Sequence, residues 1–381
     1  MTILFMYDSP LRPEAGGTER ATKLVMDELA RRGHTTIGLL HFNQNNPDEY
    51  FLNEEQISSL IDFLNDHHVD IVVNQIAFHY WLLKEFLNHG GQEWRNEGGK
   101  IISFMHFDPP LRPLWYYGRF RNLNDLSFLR KLKRLGSIFC VPYFYYQYRK
   151  TRSFSYRYIY TNSDAYVLLS ESFVDTFLKV GGLKNKSKIH IIPNMLTFPE
   201  IASDDILKKK KKTVLVVSRM DERQKRISRI LKVWKQVKHN GYILKVVGSG
   251  VDLPNYKKWV EEKDCKDVEF CGQQSPLPYY QEAAVFLMTS MFEGWGLTLT
   301  ESLQNGVVPV VLNTTSVFAD IIDDGKTGYL ANSKKEFVER LQLLLSDDEQ
   351  REAMALAGLE SAINFSAQSV GDVWNSVLDK L

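Results

Sequence analysis

The chain has 381 residues, 44% hydrophobic and 24% charged, with 47 basic side chains against 46 acidic ones. That length exceeds one ordinary core and fits two globular domains; the apolar content excludes a disordered chain, and 23 glycines with 13 prolines exclude a fibrous one. A formal net charge of +1 excludes a protein that coats nucleic acid with its whole surface. Cys140, Cys265 and Cys271 are too few for a disulfide scaffold and lack paired metal-type spacing, so they read as inert thiols of a reducing compartment. Asp8 and Pro10 cut the first apolar run short, and no apolar stretch approaches the ~20 residues that span a bilayer. These features predict a cytoplasmic protein with neither leader nor anchor.

In chain order, Thr2–Tyr7 is a short apolar strand. Thr18–Arg32 carries Ala21, Leu24, Val25 and Leu29 at helical spacing and ends at Gly33, where a left-handed cap is wanted. Thr36–His41, Asp70–Asn74 and Lys100–His106 are the next strands, with helices between them. Strands alternating with helices predict an α/β, doubly wound parallel sheet. Residues 111–160 stand apart, with eleven cations (Arg112, Arg119, Arg121, Arg130, Lys131, Lys133, Arg134, Arg149, Lys150, Arg152, Arg157) against one acid, Asp125. Trp115, Tyr116, Tyr117, Phe120, Phe128, Phe139, Tyr143 to Tyr146 and Tyr148 are interleaved with them. Such a stretch suits an anionic membrane surface or a lipid diphosphate; the plainer reading is a solvated basic face over a core of aromatics. Arg and Tyr also stack on bases, but nothing else in the chain supports an RNA-binding module, so no nucleic-acid partner is expected.

The run Lys208–Lys212 follows Pro193 and Pro199 and reads as a solvated linker. Strand Val214–Val217, helix Ile227–Lys238, strands Ile243–Val247, Val268–Phe270 and Val285–Met288, helix Leu297–Asn305 and strand Val308–Leu312 form a second βα series. The last segment, Ala367–Leu381, has Val370, Val373, Trp374 and Val377 on one helical face. The expected division is 1–195, 196–366 and a terminal helix over 367–381.

Ligands of doubly wound sheets lie at the carboxyl ends of strands, where helix N-termini and loop amides favour anions. With two such domains, a cleft between their carboxyl edges is the expected site. Arg219 lies just past one strand end, and Lys225 stands beside the next helix. Two cations so spaced suit a diphosphate, although solvated loop cations would look the same. Glu293 falls in a loop after a strand, and Glu301 lies about one turn into the following helix. Gly294 and Gly296 let the backbone approach a ligand, and the amides of Leu297 and Thr298 open the helix. Carboxylates accept paired hydrogen bonds from sugar hydroxyls, so Glu293 and Glu301 suit a polyol; a helix acid that complements the dipole is the plain alternative for Glu301.

In order and spacing these residues resemble the retaining glycosyltransferases of family 4, of GT-B fold. Glu293 and Glu301 match that family's Glu-x7-Glu motif, and Arg219 with Lys225 its Arg-x5-Lys pair. Gly16 and Gly17 match its first glycine-rich loop, His106 its strand-end histidine, and Ile191-Ile192-Pro193-Asn194 its interdomain segment. Val307-Val308-Pro309-Val310 and Gly325-Lys326-Thr327-Gly328 match later landmarks. Ser218, Met195 and Arg226 stand where glycines are usual, Asp320 where a glutamate is, and Asn313-Thr314-Thr315-Ser316 lacks the usual Gly-Gly. The resemblance implies two Rossmann-like domains facing across a cleft, with the C-terminal helix crossing back to the first. It further implies that Arg219 and Lys225 hold the diphosphate of a UDP- or GDP-sugar donor, Glu293 the donor sugar and Glu301 the ribose. Leu297, Thr298, Gly16 and Gly17 would touch phosphates, His106 would lie beside the transferred sugar, and the loop Gly272–Ser275 would select the base. No Asp-x-Asp occurs, so no metal and no cofactor is expected. The implied activity is retaining sugar transfer to a glycan or lipid-linked acceptor in polysaccharide or glycolipid assembly. The alternatives are a nucleotide-sugar epimerase of the same fold, a transferase making a soluble disaccharide, or a non-catalytic relative that binds a partner or membrane.

Overall fold

The computed structural model describes residues 1–13, 16–43, 45–46, 48–109 and 140–381. They form two compact units, Met1–Met195 with Val370–Leu381, and Leu196–Ser369.

In the first unit, β1 (Thr2–Met6), β2 (Thr35–Phe42), β3 (Tyr50–Leu52), β4 (Glu55–Gln56), β5 (Ile71–Asn74), β6 (Lys100–Met105), β7 (Ala165–Leu168) and β8 (Ile189–Ile191) make one sheet in the order β4-β3-β2-β1-β5-β6-β7-β8. It is parallel except at one edge, where β2, β3 and β4 run antiparallel. That edge hairpin escapes the sequence reading because its strands are too short to show periodicity. Helix α1 (Gly17–Arg31) buries Ala21, Val25 and Leu29, and Gly33 at φ +90° turns the chain into β2.

Chain order then gives α2 (Leu60–Asp66), α3 (Trp81–Phe86), α4 (Gln92–Asn96), α5 (Val141–Thr161) and α6 (Val174–Gly181). Residues 111–139 of the basic, aromatic stretch lie outside the described residues. In α5 the aromatics divide: Tyr156 and Tyr160 are buried, while Tyr143, Phe144, Tyr145 and Tyr146 are exposed. Cys140 is exposed too.

The second unit holds β9 (Thr213–Val217), α7 (Ile227–Trp234), β10 (Ile243–Val247), α8 (Leu253–Glu262), β11 (Val268–Gly272), α9 (Leu277–Glu282), β12 (Val285–Met288), α10 (Leu297–Gln304) and β13 (Val308–Leu312). After them come α11 (Phe318–Ile321), β14 (Tyr329–Ala331), α12 (Lys334–Ser346) and α13 (Asp348–Ala362). Its sheet is parallel throughout, in the order β11-β10-β9-β12-β13-β14. Strands buried on both faces explain the continuous apolar runs.

The lysine run is not uniformly solvated. Lys208 pairs with Asp205 and Lys211 with Glu282 at the surface, but Lys210 folds inward and donates to the carbonyls of Tyr280 at 2.9 Å and Asn305 at 2.6 Å. Burial pushes its ammonium down to about 7. Last comes α14 (Ala367–Leu378), whose Trp374 is fully buried with its ring 5.6 Å from that of Phe104 on β6. Arg32 at the end of α1 reaches Asp372 at 2.7 Å. Any side chain at Gly371 would meet that Arg32, its Cβ 2.4 Å from Nε, so a glycine lets the helix seat. Val373 is exposed instead of buried, and Leu378 takes its place on the apolar face.

Candidate functional site

In the second unit β9 ends at Val217, and the loop 218–226 carries the chain to α7. This loop lies tight against the end of β10: Ser218 N donates to Val247 O at 3.0 Å and Met220 N to Ser249 O at 2.8 Å. The approach demands glycines. A Cβ on Gly248, at φ +130°, would lie 2.0 Å from Ser218 O, and one on Gly250 2.6 Å from Met220 O. The sequence reading misses both, although Val-Gly-Ser-Gly at a strand end is their signal. Within the loop, Asp221 binds Arg223 through Nε at 2.9 Å and Nη2 at 2.6 Å, which holds its carboxyl below the usual range. Glu222 accepts from Ser228 N, Ser228 Oγ and Tyr256 Oη, and so satisfies an orphan donor at the start of α7. Arg226 adopts φ +53°, the left-handed region that suits glycine, which explains why the resembled family favours glycine there.

The loop delivers two cations by different routes. Lys225 Nζ meets Glu293 Oε1 at 2.5 Å, with only 19% and 9% of the two side chains exposed. Arg219 is exposed, and its Nη2 donates to Gln224 Oε1 at 2.9 Å. Gln224 in turn donates to Phe292 O at 3.3 Å, while Met291 N donates to Gln224 O at 2.7 Å. One glutamine thus ties Arg219 to the loop that carries Glu293. It lies inside the Arg-x5-Lys spacing, yet its partners stand almost seventy residues away in the sequence.

Beyond that loop Gly296, at φ +97°, begins α10, and Leu297 and Thr298 are its first, partly exposed residues. Ser218, Lys225, Ser290 and Thr298 line one small pocket at these strand ends. Glu301 is fully buried, and its Oε2 accepts from Tyr280 Oη at 2.9 Å. Asn305 Nδ2 donates to Glu301 O at 2.9 Å, and Lys210 braces both Tyr280 and Asn305 from below. Gly272 ends β11 at φ +72° with open space where a Cβ would be.

In the first unit, Gly16 and Gly17 stand at the start of α1. His106 follows β6, 5% exposed, with its ring 3.9 Å from that of Phe104. Its Nε2 bonds the side-chain oxygen of Gln75, which follows β5. Burial pushes the imidazole down to about 3, so it is neutral at physiological pH. A larger groove, about 660 Å³ and lined by Met1, His68, Asp70, Trp94 and Lys100, lies at the amino ends of β5 and β6 and contains none of these residues. Among the described residues no three His, Cys, Asp or Glu side chains cluster as metal ligands would, and no helix is long and apolar enough to cross a membrane.

Residues 198–360 match the family described as glycosyl transferases group 1. Over 230 residues, 58% of this chain, the sequence is 26% identical to the amylovoran biosynthesis glycosyltransferase AmsD of Erwinia amylovora, and the match spans 63% of that relative's own length. It is 34% identical to the lipopolysaccharide 1,6-galactosyltransferase of Escherichia coli over 125 residues, 31% of this chain and 34% of that one. Among solved structures, the lipopolysaccharide outer core galactosyltransferase WaaB in its apo form superposes with TM-score 0.68 at 17% identity over 100% of both chains. HepE of Anabaena in complex with UDP does so with TM-score 0.67 at 13% identity, again over 100% of both. The fold is therefore GT-B, built of two Rossmann-like α/β domains.

Proposed function

We propose that this chain is a glycosyltransferase that moves a sugar from a nucleoside-diphosphate sugar to a glycan or lipid-linked acceptor in polysaccharide or glycolipid biosynthesis. The observation that carries this reading is the pairing of Lys225 with Glu293, beside Arg219, within the stretch that matches the glycosyl transferase family. In this reading the donor diphosphate takes Lys225 away from Glu293 and, with Arg219, compensates the charge that grows on the leaving group. Glu293, released from its cation, is then free to bond the donor sugar's hydroxyls. Glu301 holds the ribose, and the amides of Leu297 and Thr298 meet phosphate oxygens.

The resemblance supports retention of configuration, and retention with no protein nucleophile assigned implies transfer on one face of the sugar. The bond from the anomeric carbon to the phosphate oxygen breaks as the bond to the acceptor oxygen forms, and the acceptor proton passes to the departing phosphate. Positioning and charge stabilisation carry the rate. Arg219 and Lys225 supply the positive charge, and no metal is invoked. The test is release of nucleoside diphosphate from UDP- and GDP-sugars, with and without acceptor. Arg219→Ala should lose on the order of 10²-fold in turnover, as for one preorganised donor. Full turnover in that variant sinks the assignment.

The exposed Tyr143, Phe144, Tyr145 and Tyr146, followed by Arg149 and Lys150, support placing the acceptor at an anionic membrane surface. Co-sedimentation with phosphatidylglycerol vesicles should be strong at low salt and weaker at physiological salt. A protein that stays in the supernatant at low salt has no such surface.

A further inference from the structure

Lys210 closes the short helical turn Asp204–Lys209, whose Ile206 is buried. Unlike Lys208 and Lys211, it turns inward, and its Nζ donates to the carbonyls of Tyr280 at 2.9 Å and Asn305 at 2.6 Å. Both carbonyls lie at helix ends, Tyr280 in the last turn of α9 and Asn305 one residue past α10. Helix ends leave acceptors that the helix itself cannot fill. The amide that would take Tyr280 O in a longer helix, that of Ala284, donates to Thr213 O at 2.9 Å instead. One amine therefore closes the ends of two helices.

The same two residues hold Glu301. Tyr280 Oη lies 2.9 Å from Glu301 Oε2 and 3.1 Å from Thr298 O, in the first turn of α10. Asn305 Nδ2 donates to Glu301 O at 2.9 Å. Lys210 thus fixes the main chain of the two residues whose side chains fix Glu301, one at its carboxylate and one at its carbonyl. Tyr280 and Glu301 are fully buried and Asn305 is nearly so, and a close-packed interior passes on a shift at the carbonyls. Without the amine both carbonyls lose their donor, and α9 and α10 must move to find others. Charged or neutral, the amine keeps a hydrogen for each carbonyl, so the clamp does not hang on its protonation.

We propose that Lys210 is a positioning residue for nucleotide binding, which clamps Tyr280 and Asn305 so that Glu301 is held where the ribose meets it. The ribose rests on the function proposed above; the clamp is the further step. Lys210 acts through these two residues and not on the substrate.

Calorimetry with UDP and GDP on the full chain reads the effect. Lys210→Met keeps the apolar stem and loses both hydrogen bonds. The nucleoside diphosphate that binds the wild type should bind this variant about tenfold more weakly, at an unchanged number of sites per chain. A brace with no part in positioning would lower the number of competent sites, or the melting temperature alone, and leave Kd as it was; that result overturns the proposal. Tyr280→Phe acts on the same carboxylate. The double variant should therefore lose about twentyfold and not the roughly hundredfold of independent sites, and a full hundredfold loss overturns the shared route.

The wild type supplies a reading that needs no variant. If the clamp favours the nucleotide, the nucleotide favours the clamp by the same free energy. Saturating nucleoside diphosphate should slow amide hydrogen exchange about tenfold at the ends of α9 and α10. Unchanged exchange there with the nucleotide bound overturns the clamp, even where Lys210→Met does not fold. A wild type that binds neither UDP nor GDP overturns the sugar-nucleotide reading and the role of Lys210 with it, whereas binding that Lys210→Met leaves unchanged overturns the clamp alone.

Discussion

At the ends of β5 and β6 the polar groups are Gln75 and His106, buried and uncharged, whereas the ends of β9 and β12 in the second unit lead to Lys225 and Glu293, charged and paired. Both belong to carboxyl edges of parallel sheets, so topology alone does not set their character. Depth does. A group as buried as His106 sheds its proton rather than hold a charge, because among the described residues nothing nearby compensates it. Lys225 and Glu293 keep a little solvent contact and hold charge as a pair, which an anionic ligand can replace with one of its own. The first edge therefore presents neutral groups, and the second a charge pair.

The comparison breaks most visibly at the pair. Lys225→Met leaves Glu293 with its cation gone, and should cost about 2–3 kcal/mol of stability in urea unfolding, below the value for a fully buried pair because some solvent remains. Turnover should fall by on the order of 10²-fold or more. The double variant Lys225→Met/Glu293→Gln should recover most of the stability and none of the turnover. If Lys225→Met unfolds like the wild type, the pair is screened and the contrast between the edges is lost.

The neutral edge is sharpened by pH. The folded-state pKa of His106 lies below its unfolded value near 6.5, so the folded chain binds fewer protons between those two values. Its contribution is whole above pH 6.5 and declines as pH falls towards 3, by about 2 kcal/mol between pH 6.5 and 5. Burial also pushes His41, His79 and His190 down, so the quantity to measure is the difference between wild type and His106→Gln across that range. Parallel curves would place a charge on the ring and remove the distinction.

Smaller effects probe the second edge alone. Tyr280→Phe removes the hydroxyl 2.9 Å from Glu301 and should weaken nucleoside diphosphate binding about tenfold, near 1.4 kcal/mol, and lower the melting temperature, because a buried carboxylate oxygen loses its donor. Unchanged affinity by calorimetry would separate Glu301 from the nucleotide. Arg226→Gly relieves a positive φ and should stabilise the chain by about 1 kcal/mol, even with its contact to Met291 lost. A drop in the urea midpoint would show that the arginine's contacts outweigh its backbone strain.

Much of the fold is legible in the sequence because the buried parallel strands write themselves as apolar runs, as in Val214–Val217 and Val285–Met288. That Arg219, Lys225, Glu293 and Glu301 follow strand ends is legible because loops there are close to their elements in sequence. What stays hidden depends on neighbours distant in the chain. Gln75 is told apart from any strand-end glutamine only by His106, thirty-one residues on. Gly248 needs its missing side chain only because Ser218 O arrives beside it. Within a run of five lysines, composition gives no sign that Lys210 is the one turned inward to carbonyl acceptors. Val373 satisfies the helical spacing of its neighbours, yet it falls at the margin of the buried face.

The seating of α14 on the first unit has a consequence for the order in which the protein is made. The first unit's sheet is translated early, but the helix that covers Phe104 with Trp374 is encoded after all of Leu196–Ser369. At ordinary elongation rates the ribosome takes roughly 10–35 s to cross that interval. At its end the second unit has its whole sequence, while the first still shows water the patch that Trp374 will close. The usual vectorial sequence, in which the amino-terminal domain is finished first, is inverted here. The nascent chain carries its exposed apolar surface at the front, where a chaperone can reach it.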